Sequence, residues 1–212
     1  MQNECYIVGG GPSLSHFNFS HLANKDTIVT NKAIFNVPFP SYFITVDYTF
    51  LKKIDIQSFR DILTSKIFVV DFSHPFLKES EKGIVDTRYN LVYNLQDFNV
   101  IIKSHNSGGI GYTFDEFRTG LNSGFCALQL AVILGYRKIY LLGVDLNISN
   151  QTHYHKGYGE SNQSFERKLN VYFQKFEKAL FDLKQYSDIE VFNCSVGSRL
   201  GKILPYYDLK NL

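Results

Sequence analysis

Tryptophan is absent from the 212 residues, methionine occurs once and cysteine three times. The cysteines, Cys5, Cys126 and Cys194, are odd in number, lie far apart and lack CxxC spacing, which speaks against a disulfide framework and a thiolate metal site. Two of them sit in apolar strand or helix patterns, so they read as buried thiols of a protein expected in a reducing cytoplasm. Charge of one sign is also missing: 22 Lys and Arg against 20 Asp and Glu give a net +2. The basic residues are spread thinly, so the electrostatic footprint of a nucleic-acid binder is not there. No apolar run approaches the roughly 20 residues a membrane helix needs, and no basic leader with an apolar core precedes the first strand. Repeats and low-complexity tracts are lacking as well. What is abundant is aromatic, 14 Tyr and 19 Phe in a chain 44% hydrophobic. That content is ample for the core of one domain spanning 1–212, with rings left over for a pocket wall.

The chain is organised around Asn122 to Leu146, NSGFCALQLAVILGYRKIYLLGVDL. Phe125, Leu128, Ala131, Val132 and Gly135 recur at helical spacing, and the oxygen of Asn122 or Ser123 can cap the first amides. Gly135 ends that helix, being free to take positive φ. Ile139 to Gly143 is then a continuous apolar run, the pattern of a strand covered on both faces. In an open parallel sheet the ligand lies beyond the carboxyl ends of the strands, which places Gly143, Asp145 and the loop after them at the site. The helix start at Asn122, Ser123 and Gly124 offers free N–H groups and the positive end of a dipole to a phosphate or carboxylate.

The rest of the chain fits the same α/β reading. Cys5 to Val8 enters Gly9-Gly10-Gly11-Pro12-Ser13-Leu14, a strand feeding a tight glycine turn that is not the spaced dinucleotide signature. Thr27 to Thr30 ends at Asn31, Ser41 to Val46 at Asp47, and Ile67 to Val70 at Asp71, with helical spacing from Phe50 to Leu63 before the last of these. The expected fold is a Rossmann-like, mostly parallel sheet with helices on both faces. From about 74 to 120 the pattern is irregular, with two β-like runs at Leu91 to Leu95 and Asn99 to Ile102 and a glycine-rich Ser107 to Gly111, and a lid or excursion is expected there. Ser164 to Tyr186 is a long amphipathic helix, and Ile189 to Phe192 a last strand before a tail that returns polar groups to the same edge.

Two polar groupings can carry chemistry. His153 and His155, with Tyr154 and Tyr158, form the densest set of titratable and aromatic groups on a loop at the ligand side, where an imidazole can take a proton from a substrate hydroxyl and a phenol can donate to a leaving phosphate. A cation held by the His-x-His pair with Asp145 is the rival chemistry, but such a pair alone is common and no metal site is assigned. Asn31, Asp47 and Asp145 can simply cap the turns after their strands. For Asp47 that is the expectation, whereas Asn31 and Asp145 converge with the glycine turn and the helix start on one sheet edge, as in a nucleotide pocket.

These stretches, GGGPSL, NSG at a helix start, LGYRKIYLLGVDL and THYHKG, resemble the bacterial sialyltransferases of glycosyltransferase family 42 and the related motility-accessory-factor and hydroxymethylpterin-diphosphokinase-like proteins. The resemblance implies that Gly10, Gly11, Pro12, Ser13, Asn31, Ser123 and Gly124 hold a cytidine monophosphate donor, and that His153, followed by Tyr154, is the general base. It implies a sugar transfer from a nucleotide donor, a CMP-sugar by preference, to the hydroxyl of a glycan or small-molecule acceptor, without a prosthetic group or metal. The chain departs from the sialyltransferase pattern at Gly10, at Asn122 and at Leu146-Asn147, where that family carries asparagine, threonine and a tyrosine. A diphosphokinase-like diphosphate transfer from ATP is the alternative. It would need Mg2+ on carboxylates and would raise Asp47 and Asp145 in importance. A third reading is a non-catalytic relative that binds nucleotide or glycan. An oligomer is compatible with all three.

Overall fold

A computed structural model describes residues 3–47, 104–147 and 162–209, and the backbone of the strand segments 67–69, 77–80, 83–86, 91–93 and 99–101. In chain order the strands are β1 (Glu4–Val8), β2 (Thr27–Thr30), β3 (Tyr42–Ile44), β4 (Ile67–Val69), β5 (Leu77–Ser80), β6 (Gly83–Asp86), β7 (Leu91–Tyr93), β8 (Asn99–Ile101), β9 (Ser104–His105), β10 (Phe117–Arg118), β11 (Lys138–Leu142) and β12 (Glu190–Asn193). Among the described residues the α-helices are α1 (Ser123–Ile133) and α2 (Asn162–Tyr186). The central sheet has the order β12-β11-β1-β2-β3, and every pairing in it is parallel. The chain leaves β1 toward β2 on one side and returns through β11 on the other. The strand order therefore reverses between β1 and β11, the switch point at which α/β sheets open a crevice.

Alternation along each strand splits the core in two. Cys5, Ile7, Ile28, Ile44, Ile139, Leu141 and Val191 face α1 and α2. Tyr6, Val8, Val29, Phe43, Tyr140 and Leu142 face the other way, onto Leu14, Leu22 and Ile34. Those three belong to short 3-10 turns, Pro12–Leu14, Phe19–Leu22 and Asn31–Phe35. On that face Tyr6 stacks on Tyr140 at 4.8 Å between centroids, Tyr140 on Phe192 at 5.3 Å, and Tyr207 from the tail closes against Tyr140 at 5.0 Å. Part of the aromatic excess is thus spent on a ladder across three strands, the offset geometry rings prefer.

Helix α1 is buried on all sides, from Ser123 to Val132. It lies between the sheet and α2, with the Phe125 and Phe176 rings edge-to-face at 5.2 Å. Leu169, Phe173, Phe176, Ala179 and Leu183 form the buried stripe of α2.

The segment read as an irregular excursion is more regular than expected. β5, β6 and β7 make an antiparallel sheet, of which the sequence reading found only β7, and β4 pairs in parallel with β8. The glycines at its end do not leave the backbone loose. A Cβ on Gly108 would sit 2.9 Å from the Lys175 Cα, and one on Gly109 2.7 Å from the Asp182 carboxylate, so this stretch lies flush against α2. The Ile110 N–H donates to Asp182 Oδ2 at 3.1 Å, and the Gly111 N–H to Gln129 Oε1 at 2.9 Å. The helix expected through Phe50 to Leu63 falls outside the described residues.

Candidate functional site

The glycine turn after β1 and the loop after β11 are laced together. Gly9 N–H donates to Leu142 O and Gly11 N–H to Gly143 O, both at 2.8 Å. A Cβ on Gly11 would meet Asp145 Oδ2 at 2.5 Å and Gly143 O at 2.6 Å, so only glycine admits this approach. Gly143 has φ +65, and a Cβ there would strike Leu14 Cδ1 at 2.5 Å. Asp145 is 5% exposed and gives both carboxylate oxygens to Ser13: the backbone N–H donates to Oδ2 at 2.8 Å and the hydroxyl to Oδ1 at 2.7 Å. The turn is therefore closed by a charge-assisted clasp across the switch point.

The tail holds the other side of the same loop. Gly143 N–H donates to Ser195 Oγ at 2.7 Å, Ser198 Oγ lies 3.0 Å from Val144 O and 3.2 Å from Asp145 O, and Arg199 N–H donates to Asp145 O at 2.7 Å. Sequence reasoning brought the tail to this edge but singled out neither Ser195 nor Ser198. Short hydroxyl residues beyond the last strand were their one signal.

At the start of α1, the Asn122 side chain accepts from Phe125 N–H at 3.1 Å, which is the expected cap. Its own carbonyl accepts from Cys126 N–H. The N–H groups of Ser123 and Gly124 have no protein acceptor among the described residues, and neither has that of Gly10. The Ser123 hydroxyl accepts from Val46 N–H at 3.3 Å and donates to Asn31 Oδ1 at 3.5 Å, where the Thr45 hydroxyl also donates. With two hydroxyls on its oxygen, Asn31 keeps its amide NH2 for another acceptor.

These groups line one cleft of about 240 Å³. Gly10, Gly11, Pro12, Asn31, Asn122, Ser123, Gly124 and Asp145 are all in its wall, and Ser13 stands behind it on Asp145. The structure adds Asp47, read from sequence as a cap, and Leu169 and Tyr172 from α2, read as packing only. His153, Tyr154, His155 and Tyr158 lie outside the described residues.

The backbone here is strained. Among the described residues four non-glycine positions have positive φ, and three of them, Asn31 at 49°, Leu121 at 61° and Leu146 at 49°, are in the cleft wall. Asparagine tolerates the left-handed region, but leucine does so at a cost of about 1–2 kcal/mol. Such residues gather where a site fixes its geometry against local preference. Chemically, the cleft presents unpaired N–H donors, an amide donor and hydroxyls at a helix start, an arrangement that accepts a phosphate-bearing ligand.

No family profile matches the sequence, and no curated protein sequence matches it significantly. Solved structures do match. The sialyltransferase CstII from Campylobacter jejuni, in complex with the substrate analogue CMP-3FNeuAc, superposes with a TM-score of 0.54 at 16% identity over 98% of this chain and 87% of that one. CstII in complex with a trisaccharide acceptor and CMP gives 0.56 at 20% over 99% and 88%. The monofunctional alpha-2,3-sialyltransferase Cst-I from Campylobacter jejuni gives 0.57 at 18% over 97% and 80%. What this chain has in common with these enzymes, over nearly its whole length, is their α/β fold.

Proposed function

We propose that the chain is a sialyltransferase-like glycosyltransferase that takes its sugar from a nucleotide donor, a CMP-sugar by preference. The observation that carries this reading is the cleft at the switch point, where the N–H groups of Gly10, Ser123 and Gly124 have no protein acceptors among the described residues and the glycine turn is clasped by Asp145. Its fold neighbours are sialyltransferases solved with CMP or a CMP-sugar analogue. In the proposed reaction His153 takes the proton of the acceptor hydroxyl, and the oxygen attacks the anomeric carbon. The bond from that carbon to the phosphate oxygen breaks, and its electron pair leaves with the nucleotide. The three N–H groups, with the Asn31 amide beside them, meet the charge that grows on the departing phosphate. Tyr154 is placed as a donor to that phosphate and His155 as a lesser neighbour. No step calls for a metal.

The diphosphokinase-like alternative needs carboxylates for magnesium. Asp47 and Asp145 are the carboxylates of the cleft wall, and both oxygens of Asp145 also accept from Ser13. A thermal-shift panel of CMP, CMP-sialic acid, UDP-sugars, GDP-sugars and ATP with magnesium separates the readings, since a ligand that binds the folded state raises its melting temperature by mass action. Stabilisation by the cytidine compounds is expected. His153→Ala should lower transfer about 10²–10⁴-fold while donor binding persists, and His155→Ala should lower it far less. Full transfer by His153→Ala would move the base elsewhere, and stabilisation by ATP with magnesium alone would overturn the glycosyltransferase reading.

A further inference from the structure

Beside the cleft is a second cavity of about 410 Å³, and Leu146, Asn147 and Leu169 are in the wall of both. Its wall also holds Arg199, Lys202, Asn170 and Glu166. Arg199 is held from three directions. Its guanidinium lies 4.5 Å from the centroid of the Phe173 ring, one of its nitrogens donates to Asn170 Oδ1 at 2.6 Å, and its backbone N–H is fixed to Asp145 O. Among the described residues no carboxylate forms an ion pair with it, whereas Arg137 and Lys138 do have acidic partners. Stacking and one hydrogen bond leave the remaining N–H donors of the fork uncommitted, already oriented, in the wall of a cavity that shares Leu146, Asn147 and Leu169 with the cleft.

We infer that this second cavity is an oxyanion subsite, in which Arg199, with Lys202 behind it, takes a carboxylate or phosphate of a substrate that spans both cavities. The inference deepens the transferase reading and rests on it for the word substrate. The physical argument is independent of that reading: a planar guanidinium presents parallel N–H groups matched to the two oxygens of a carboxylate or phosphate, and one fixed beforehand loses little entropy on binding. Counting Arg199 and Lys202 against Glu166, the cavity wall carries one net positive charge. A neutral sugar would leave that charge without a counterpart.

The test is direct binding, read by ligand-observed NMR or calorimetry on the full chain. Glucuronic acid and glucose 1-phosphate are the anionic probes and glucose the neutral one, each with and without saturating CMP. At least one acid should bind about tenfold tighter than glucose, and CMP should not displace it. Arg199→Gln should abolish that preference, Arg199→Lys should keep part of it, and Lys202→Gln, at an exposed position that leaves folding untouched, should reduce it two- to threefold. CMP-sialic acid against CMP separates the sources of the anion: if Arg199→Gln weakens the former alone, the oxyanion arrives with the donor, and if it weakens the free acids on the CMP complex, it arrives with the second substrate. Equal binding of acid and neutral probes, an acid preference that survives Arg199→Gln, or displacement of the acid by CMP would each overturn the subsite. Failure of CMP to bind would instead count against the transferase reading and leave the acid comparison readable.

Discussion

The clasp between Asp145 and Ser13 allows the sharpest test of how the cleft is built. Replacing Asp145 by Asn changes no volume but removes the negative charge and turns one acceptor into a donor. One Ser13 group, the N–H at 2.8 Å or the hydroxyl at 2.7 Å, then faces an NH2. The hydroxyl can rotate to adapt; the backbone N–H cannot, so the amide is forced to give its oxygen to the N–H and its NH2 to the hydroxyl oxygen. What is lost is the charge assistance at both bonds. Hydrogen bonds to charged groups contribute about 1.5–3 kcal/mol against about 1 kcal/mol for neutral ones, so the two together should cost about 1–4 kcal/mol. For a domain of this size that corresponds to a fall of about 2–16 °C in melting temperature. Ser13→Ala removes the hydroxyl bond outright and should cost about 1.5–3 kcal/mol, and the double variant should fall short of additivity because both changes act on one contact. Calorimetry on the three variants measures the coupling, and CMP titration shows whether a loosened turn also weakens the nucleotide. An Asn variant that melts within a degree of the wild type, with additive energies, would mean the carboxylate does not hold the turn.

Gln129, buried in the middle of α1, accepts from the N–H of Gly111 and donates to its carbonyl; Gln129→Ala would orphan both backbone groups in a dry place and should cost about 2–5 kcal/mol, with amide exchange at 107–112 accelerating ahead of β1 and β11. Leu121, 42% exposed with φ +61, should accept Gly with a melting temperature unchanged or a few degrees higher, since relief of about 1–2 kcal/mol of strain offsets the entropy of the unfolded glycine; a loss of several degrees would show that the left-handed conformation costs nothing here. Burial pushes the Cys194 thiol up from 9.0 to about 12, helped by Asp208, and the Tyr140 phenol up from 10.0 to about 12, helped by Glu4. The folded state therefore keeps protons that the unfolded chain releases, so this stability is intact below pH 9 and is lost progressively as pH rises to about 12. An unfolding midpoint in urea that stays constant from pH 8.5 to 11 would contradict the burial of both groups.

The sheet was legible because a strand covered on both faces has no polar side to interrupt it. Cys5 to Val8, Thr27 to Thr30 and Ile139 to Gly143 therefore stand out as unbroken runs, and each became a strand to within a residue at either end. The cleft was legible for a topological reason: the residues just after such strands share one edge wherever the helices go. What failed was local chemistry with two physical uses. Glycine serves freedom and close approach alike, and at Gly108 and Gly109 the structure shows the close approach, to Lys175 and Asp182. β5 and β6, LKES and GIVD, carry too few apolar residues to stand out as strands. The left-handed leucines at 121 and 146 have no signature at all, because the cause of their conformation is tertiary.

Asp145 is the instructive case. An aspartate after a strand could cap its turn, touch a ligand or hold a metal, and pattern alone cannot choose among the three. The distances establish a structural role, because both oxygens accept from Ser13 while each keeps a second lone pair. Besides any contact with a nucleotide, it therefore positions the glycine turn. The backbone carbonyl of the same residue accepts from the Arg199 backbone N–H, so one aspartate joins the glycine turn of the first cavity to the main chain of a residue in the wall of the second. A substitution that loosens the turn through the side chain should therefore leave Arg199 in place, since its anchor is the main chain. Asp145→Asn is expected to weaken the nucleotide without abolishing the preference for acidic probes, and loss of both together would mean that the two cavities are one site.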